Sequence, residues 1–222
     1  LYTTALRKVE AAARGRRAMN FYQHHVLPRL LHLVMQQAAL LPFRQRVIGA
    51  AEGRVLEVGI GSGLNLPLYG PSVRTVIGLE PSPELLRMAH DRARSAAVPI
   101  ELLEASAEAV PLDDASIDTV VTTWTLCTIP DAQRALGEMR RVLKPGGALL
   151  FVEHGRAPEA GVARWQDRLD PLWRRVAGGC HLNRKIDDLI AGNGFRIEAL
   201  ANARLPGPRT HTFLYEGRAR PA

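Results

Sequence analysis

The sequence predicts an α/β fold in which a mostly parallel sheet is covered on both faces and a helical cap precedes it. Three observations carry that expectation. From Arg54 onward, short apolar runs alternate with stretches of helical length, the pattern of strands buried between helices. The first run, Val55-Leu56-Glu57-Val58, ends in a glycine turn, Gly59-Ile60-Gly61-Ser62-Gly63. The second, residues 75–80, closes on an acid, Glu80, 17 residues beyond Gly63.

Taken in order, residues 3–19 read as a basic helix with a thin apolar stripe of Ala5, Leu6, Val9 and Ala12. Pro28 can start a second helix. Leu30, Leu31, Leu33, Val34 and Leu41 make it strongly apolar, so it should be buried or lie in an interface. Pro42 marks its end or a kink, and Phe43 to Ala51 can form another short helix. Residues 1–50 together form the expected cap. In the α/β part, Pro81-Ser82-Pro83-Glu84 starts a helix with Ser82 as its cap, residues 100–104 are a third strand and Ile117–Thr122 a fourth. Asp131 caps a helix that Lys144-Pro145-Gly146-Gly147 ends, and Ala148–Val152 are a fifth strand. Helices over 160–176 and 183–192 follow, then strands over Phe195–Leu200 and Thr212–Glu216.

Length and charge bound the function. The 222 residues suit one domain, 1–222, and a content of 46% hydrophobic and 23% charged residues is that of a globular protein. No apolar run is long enough to span a bilayer, and the opening LYTTALRKVEAAARGRR is too charged for a secretory segment. Cys127 and Cys180 make neither a disulfide framework nor a zinc motif, so no metal is expected and a reducing, cytoplasmic location is the default. The net charge of +7 resides in residues 1–54, which hold nine basic and two acidic side chains, while residues 55–222 balance. A solvated helix face accounts for this simply; an anionic small substrate or peripheral contact with an anionic membrane is the functional alternative. Nucleic acid is disfavoured, because no basic stripe interleaved with aromatics occurs. Nothing sets an oligomeric state.

The glycine turn carries the strongest chemistry. Glycines at alternate positions let the backbone approach a ligand, and a carboxylate at Glu80 can accept both hydroxyls of a ribose. Dinucleotide and nucleoside cofactors share that device. Glu57 inside the strand end, where it could receive a cationic amine, and the departure from G-x-G-x-x-G spacing favour S-adenosylmethionine (SAM).

With those residues in view, the chain resembles the class I SAM-dependent methyltransferases over most of its length. VLEVGIGSGLNLPLY is similar to that superfamily's first motif and VIGLEPS to its second, with Glu80 matching the ribose-binding acid. EASAEAVPLDDASIDTVVTTWTLCTI and RVLKPGGALLFVEH resemble the motifs that follow. The resemblance implies a Rossmann-like sheet of order 3-2-1-4-5-7-6 with strand 7 antiparallel. It implies cofactor contacts from Glu57, Gly59, Gly61, Gly63, Asn65, Glu80, Pro81 and Ser82, with Ala107 and Glu108 against the adenine and Thr123 near the methionine portion. S-adenosylhomocysteine would be the product. Asn20-Phe21-Tyr22, Asn65-Leu66-Pro67, Leu126-Cys127, Glu153-His154-Gly155 and Gly179-Cys180-His181-Leu182-Asn183-Arg184 further resemble the thiol methyltransferases associated with lipid membranes and their bacterial relatives. That likeness implies S-methylation of a small thiol, for self-protection against a dithiol metabolite or for detoxification. Similar enzymes methylate phospholipids or quinones, so an N- or O-acceptor stays open, as does a SAM-binding module without catalysis. The chain departs from the anchored relatives in lacking a hydrophobic N-terminal segment, so contact with a membrane is expected to be peripheral at most.

A thiol acceptor needs modest help, since its pKa lies near 8.5, whereas an alcohol needs a well-placed base. Four side chains are candidates for the acceptor side: Tyr22 to orient the acceptor, His154 to accept its proton, His181 in a relay and Arg184 to hold an anion. Each has an ordinary structural alternative, with Tyr22 at a helix edge, the histidines satisfied in the core and Asn183 capping the next helix.

Overall fold

The computed structural model describes Tyr22 and residues 26–222; the expected helix over 3–19 lies outside the described residues. The sheet has seven strands: β1 (Gly53–Val58), β2 (Val73–Leu79), β3 (Ile100–Leu103), β4 (Ile117–Thr123), β5 (Leu143–His154), β6 (Phe195–Arg204) and β7 (Phe213–Pro221). Their order is β3-β2-β1-β4-β5-β7-β6. β3, β2, β1, β4 and β5 run parallel, and β7 is antiparallel to both β5 and β6. The order reverses between β1 and β4, and a crevice opens at the carboxyl ends of those strands.

Alternation along the strands sorts the apolar residues into two layers. Leu56, Val58, Ile77, Leu79, Val120 and Phe151 pack on one face with α4 (Ala132–Val142). Val55, Val76, Val121, Leu150 and Val152 pack on the other with α2 (Leu41–Gly49) and α3 (Pro83–Ala93). At the amino end of the sheet, away from the crevice, Asp118 accepts from the Arg54 amide, Arg74 and Lys144. Burial works against its charge, but these three donors hold its carboxyl down at about 2.

Local chemistry explains the helix ends. Ser82 Oγ accepts from the Leu85 amide and Asp131 Oδ1 from the Arg134 amide, so both expected caps are in place. Three expectations change. The apolar helix α1 (Leu27–Met35) stops before Leu41, and Pro42 lies in the first turn of α2, where its missing N–H costs nothing. Leu27 and Pro28 of α1 are buried, but Leu30, Leu33 and Val34 are exposed, so this helix presents an apolar face to its surroundings. Lys185 precedes α6 (Ile186–Ala191), and Asn183 instead donates to Asp167 in α5 (Ala160–Val176). No helix among the described residues is long and apolar enough to cross a membrane.

Candidate active site

The glycine turn leaves β1 under tight constraint. Gly59 has φ +70°, and a Cβ there would stand 2.4 Å from the Thr125 side chain. The Gly59 and Ile60 amides both donate to the Leu79 carbonyl, which ties the turn to the end of β2. Gly61 also has a left-handed φ, +56°, yet its Cβ position meets nothing within 4 Å. It lies on the wall of a cavity of about 610 Å³ at the carboxyl ends of β1, β2 and β4.

Glu80 faces the same cavity. Its Oε2 accepts the Gly61 amide at 3.0 Å and its Oε1 the Ser82 amide at 3.0 Å. Burial pushes the carboxyl up, and these two amides oppose the shift. Each oxygen keeps a second lone pair free for a ribose hydroxyl.

Gly59, Gly61, Pro81 and Ser82 join Glu80 on the wall, and Ala107 and Thr123 lie further along it. Four expected cofactor residues stand behind it. Gly63 packs against Ala89 of α3, and Glu108 accepts the Asp131 amide at 2.7 Å. Glu57 and Asn65 belong to a buried network: Asn65 Nδ2 donates to Glu57 Oε1 and Thr123 Oγ1, Tyr69 donates to Glu57 Oε2, and Arg44 donates to Asn65 Oδ1. Burial pushes the Glu57 carboxyl up to about 7 despite the hydrogen bonds from Tyr69 and Asn65 and the charge of Arg44. Enclosed in this way, Glu57 braces the turn from beneath.

None of the four acceptor-side candidates is on the cavity wall. Tyr22 donates to the Val176 carbonyl at 2.7 Å, pinning the cap to the end of α5. Arg184 Nη1 donates to the Leu126 and Ile129 carbonyls, so its guanidinium clamps the loop after β4. His181 Nδ1 is 3.8 Å from Asp170, and burial followed by the charge of Arg184 lowers its pKa. His154 Nδ1 lies 3.8 Å from Cys180 Sγ, while its Nε2 is buried without a partner among the described residues. The run of polar residues near chemistry-bearing loops made these four look alike; only packing distinguishes a clamp from a pocket group.

Other polar side chains line the cavity. His32, on α1, faces the cavity and pairs with Ser62 Oγ at 2.7 Å, while Gln36 Nε2 is 2.6 Å from its other ring nitrogen. Arg44 reaches the wall and lies 4.8 Å over the Trp124 ring, and Trp124 holds a φ of +53°, which is strained for a bulky residue. Arg174 of α5 completes the polar lining. The sequence offered one signal for His32, a polar ring interrupting an otherwise apolar helix face.

The crevice at the strand-order reversal, the open Gly61 backbone and the doubly anchored Glu80 form a candidate nucleoside-cofactor site in a Rossmann-like fold. In its sheet order and over the stretch from β1 into β5 the chain resembles the class I SAM-dependent methyltransferases, whose cofactor is SAM and whose product form is S-adenosylhomocysteine. A family model described as "Methyltransferase domain" matches residues 56–151, from β1 into β5. The chain is 37% identical over 147 residues to the thiol S-methyltransferase TMT1B of Homo sapiens, covering 61% of this chain and 57% of that protein. It is 35% identical over 131 residues to a phosphatidylethanolamine N-methyltransferase of Cereibacter sphaeroides, covering 55% and 64% of the two. The match thus spans less than two thirds of these relatives' own length. Among solved structures, a SAM-dependent methyltransferase of Thermotoga maritima, described as a possible histamine N-methyltransferase, superposes with a TM-score of 0.64 at 23% identity, covering 89% of this chain and 99% of that one. At that identity the likeness speaks for the fold alone.

Proposed function

We propose that the protein methylates the sulfur of a small thiol, working as one domain with residues 1–50 capping the site. The observation that carries this reading is the acceptor end of the cavity. Leu27, Leu31, Met35, Trp124 and Ile129 line it, with Arg44 and Arg174 as its cations; Glu80 is the only acid on the described wall and sits at the ribose end.

The chemistry follows from that lining. SAM supplies an electrophilic methyl group on a sulfonium, so the protein must orient an acceptor and manage one proton. With a pKa near 8.5 a thiol is already about 3% thiolate at neutral pH, and the two guanidiniums favour the thiolate against the apolar wall. His32 is a poor base for a more demanding alcohol, because Gln36 occupies one ring nitrogen and Ser62 the other. Burial and then the charge of Arg92 also lower the His32 pKa. Among the described residues a cationic amine meets no carboxylate at this end. The similarity to thiol S-methyltransferases supports the same acceptor.

A lipid acceptor is the second reading, favoured by the exposed Leu30, Leu33 and Val34 beside the cavity and by the similarity to a phosphatidylethanolamine methyltransferase. One experiment separates the two. The protein and SAM are incubated with alkyl and aryl thiols, phenols, amines and phosphatidylethanolamine vesicles, and products are identified by mass spectrometry. S-methylated products with kcat/KM at least tenfold above every N- and O-acceptor are expected. Methylated lipid alone would replace the thiol reading, and cofactor binding without product from any acceptor would leave a binding module.

A further inference from the structure

Behind the cavity wall, the fold gathers three side chains that are far apart in sequence. The loop after β4 carries Cys127, the end of β5 carries His154, and the segment between α5 and α6 carries Cys180. The His181 amide donates to the Cys127 carbonyl at 2.8 Å, which fixes the two cysteine segments side by side. Cys127 Sγ and Cys180 Sγ lie 3.7 Å apart, Cys180 Sγ is 3.8 Å from His154 Nδ1, and the three donor atoms all fall within 4.8 Å of one another. Cys127 and His154 are buried and Cys180 is half-buried.

We propose that Cys127 Sγ, Cys180 Sγ and His154 Nδ1 hold one thiophilic divalent cation of the zinc class. Two of the three edges favour this over a disulfide. Two Zn–S bonds of about 2.3 Å at a tetrahedral angle place their sulfurs about 3.8 Å apart, and a Zn–N bond of about 2.0 Å places sulfur and nitrogen about 3.5 Å apart. The 3.7 and 3.8 Å separations need a few tenths of an ångström of adjustment, and the third edge, from Cys127 to His154, lies within 4.8 Å and closes by at most about 1.3 Å. A disulfide requires the sulfurs to close by about 1.7 Å.

Charge and protons balance without any redox step. The two thiols release their protons to solvent, two S–metal bonds and one N–metal bond form, and the two thiolates neutralise the dication. Arg184, Glu153 and Asp170 are the charged groups around the trio; Arg184 favours the thiolates and Glu153 opposes that of Cys127. The described residues supply three donors, so the fourth position of a tetrahedral ion would go to solvent or a ligand sulfur. The neighbours of the trio, Gly179 and Thr128, line the cavity, which places the cation just behind the acceptor end. This proposal does not depend on which acceptor is methylated.

The test uses Co²⁺ as a probe on the full chain, stripped with a chelator under reducing conditions. The expected result is one equivalent of Co²⁺ giving thiolate-to-cobalt charge-transfer absorption and tetrahedral d–d bands, displaced stoichiometrically by Zn²⁺. Cys180→Ala and His154→Ala should each weaken Co²⁺ binding at least tenfold and reduce the charge-transfer or d–d intensity. Because Cys127 is buried, Cys127→Ser serves as its variant, and near-ultraviolet circular dichroism with a SAM titration reports that each variant is folded. Absent charge-transfer bands in the wild-type protein, with both thiols still reacting with a thiol reagent, would overturn the proposal. Equal Co²⁺ affinity in wild type and folded Cys180→Ala would overturn it as well.

Discussion

His32 on α1 and Ser62 in the glycine turn are joined through Nδ1 and Oγ at 2.7 Å, so one hydrogen bond ties the cap to the segment that faces the cofactor. Gln36 donates to His32 Nε2, which leaves Nδ1–H to donate to Ser62. A half-buried neutral bond of this kind contributes about 1 kcal/mol. His32→Ala and Ser62→Ala should each raise the Kd for SAM roughly three- to tenfold. Because both remove one shared bond, the double variant should bind about as weakly as either single one. Strict additivity in isothermal titration would show that cap and turn act independently.

Glu57 makes a prediction about stability and pH. Its folded pKa, about 7, lies above the ordinary carboxylate value of 4.5, chiefly through burial. The folded state therefore holds more protons than the unfolded state between those values, and stability falls as pH rises through that window. Glu57→Gln imitates the protonated form and should remove this component. The stability of wild type relative to Glu57→Gln should decline by roughly 3 kcal/mol from pH 4.5 to 7 and stay level above it. Parallel denaturant-unfolding curves for the two proteins across that range would contradict the assignment.

Arg184 tests whether a residue that resembles a substrate anchor is instead a clamp. Its Nη1 bonds to the Leu126 and Ile129 carbonyls and its burial lowers its pKa. Arg184→Met leaves both carbonyls without that donor and should cost about 2–5 kcal/mol of unfolding free energy. Chemical denaturation measures this directly. A variant of unchanged stability but with KM for the acceptor raised tenfold would return Arg184 to the substrate.

The parts of the fold that depend on neighbours in sequence were legible before the structure. Apolar runs marked the strands, Ser82 and Asp131 marked helix starts, and Gly59, Gly61 and Glu80 marked the crevice, because periodicity, capping and left-handed turns are local properties. Pro42 misled, since a proline that breaks one helix serves equally well in the first turn of the next. The acceptor side was not legible. Arg44 meets Asn65 across 21 residues and Cys180 meets Cys127 across 53, and only the closed fold sets such pairings. Tyr22, His154, His181 and Arg184 had suitable chemistry, but their partners are backbone carbonyls, a carboxylate and a thiol behind the wall.

The most direct test is titration of SAM and S-adenosylhomocysteine into the wild-type chain and Glu80→Ala by calorimetry. Glu80 stands between the Gly61 and Ser82 amides with lone pairs left for a ribose, so its removal costs those ligand bonds and loosens the turn. Both ligands should bind wild type at one site, and Glu80→Ala should lose at least tenfold in affinity, about 1.4 kcal/mol, while remaining folded. No binding by the wild-type protein, or undiminished binding by folded Glu80→Ala, would contradict the account.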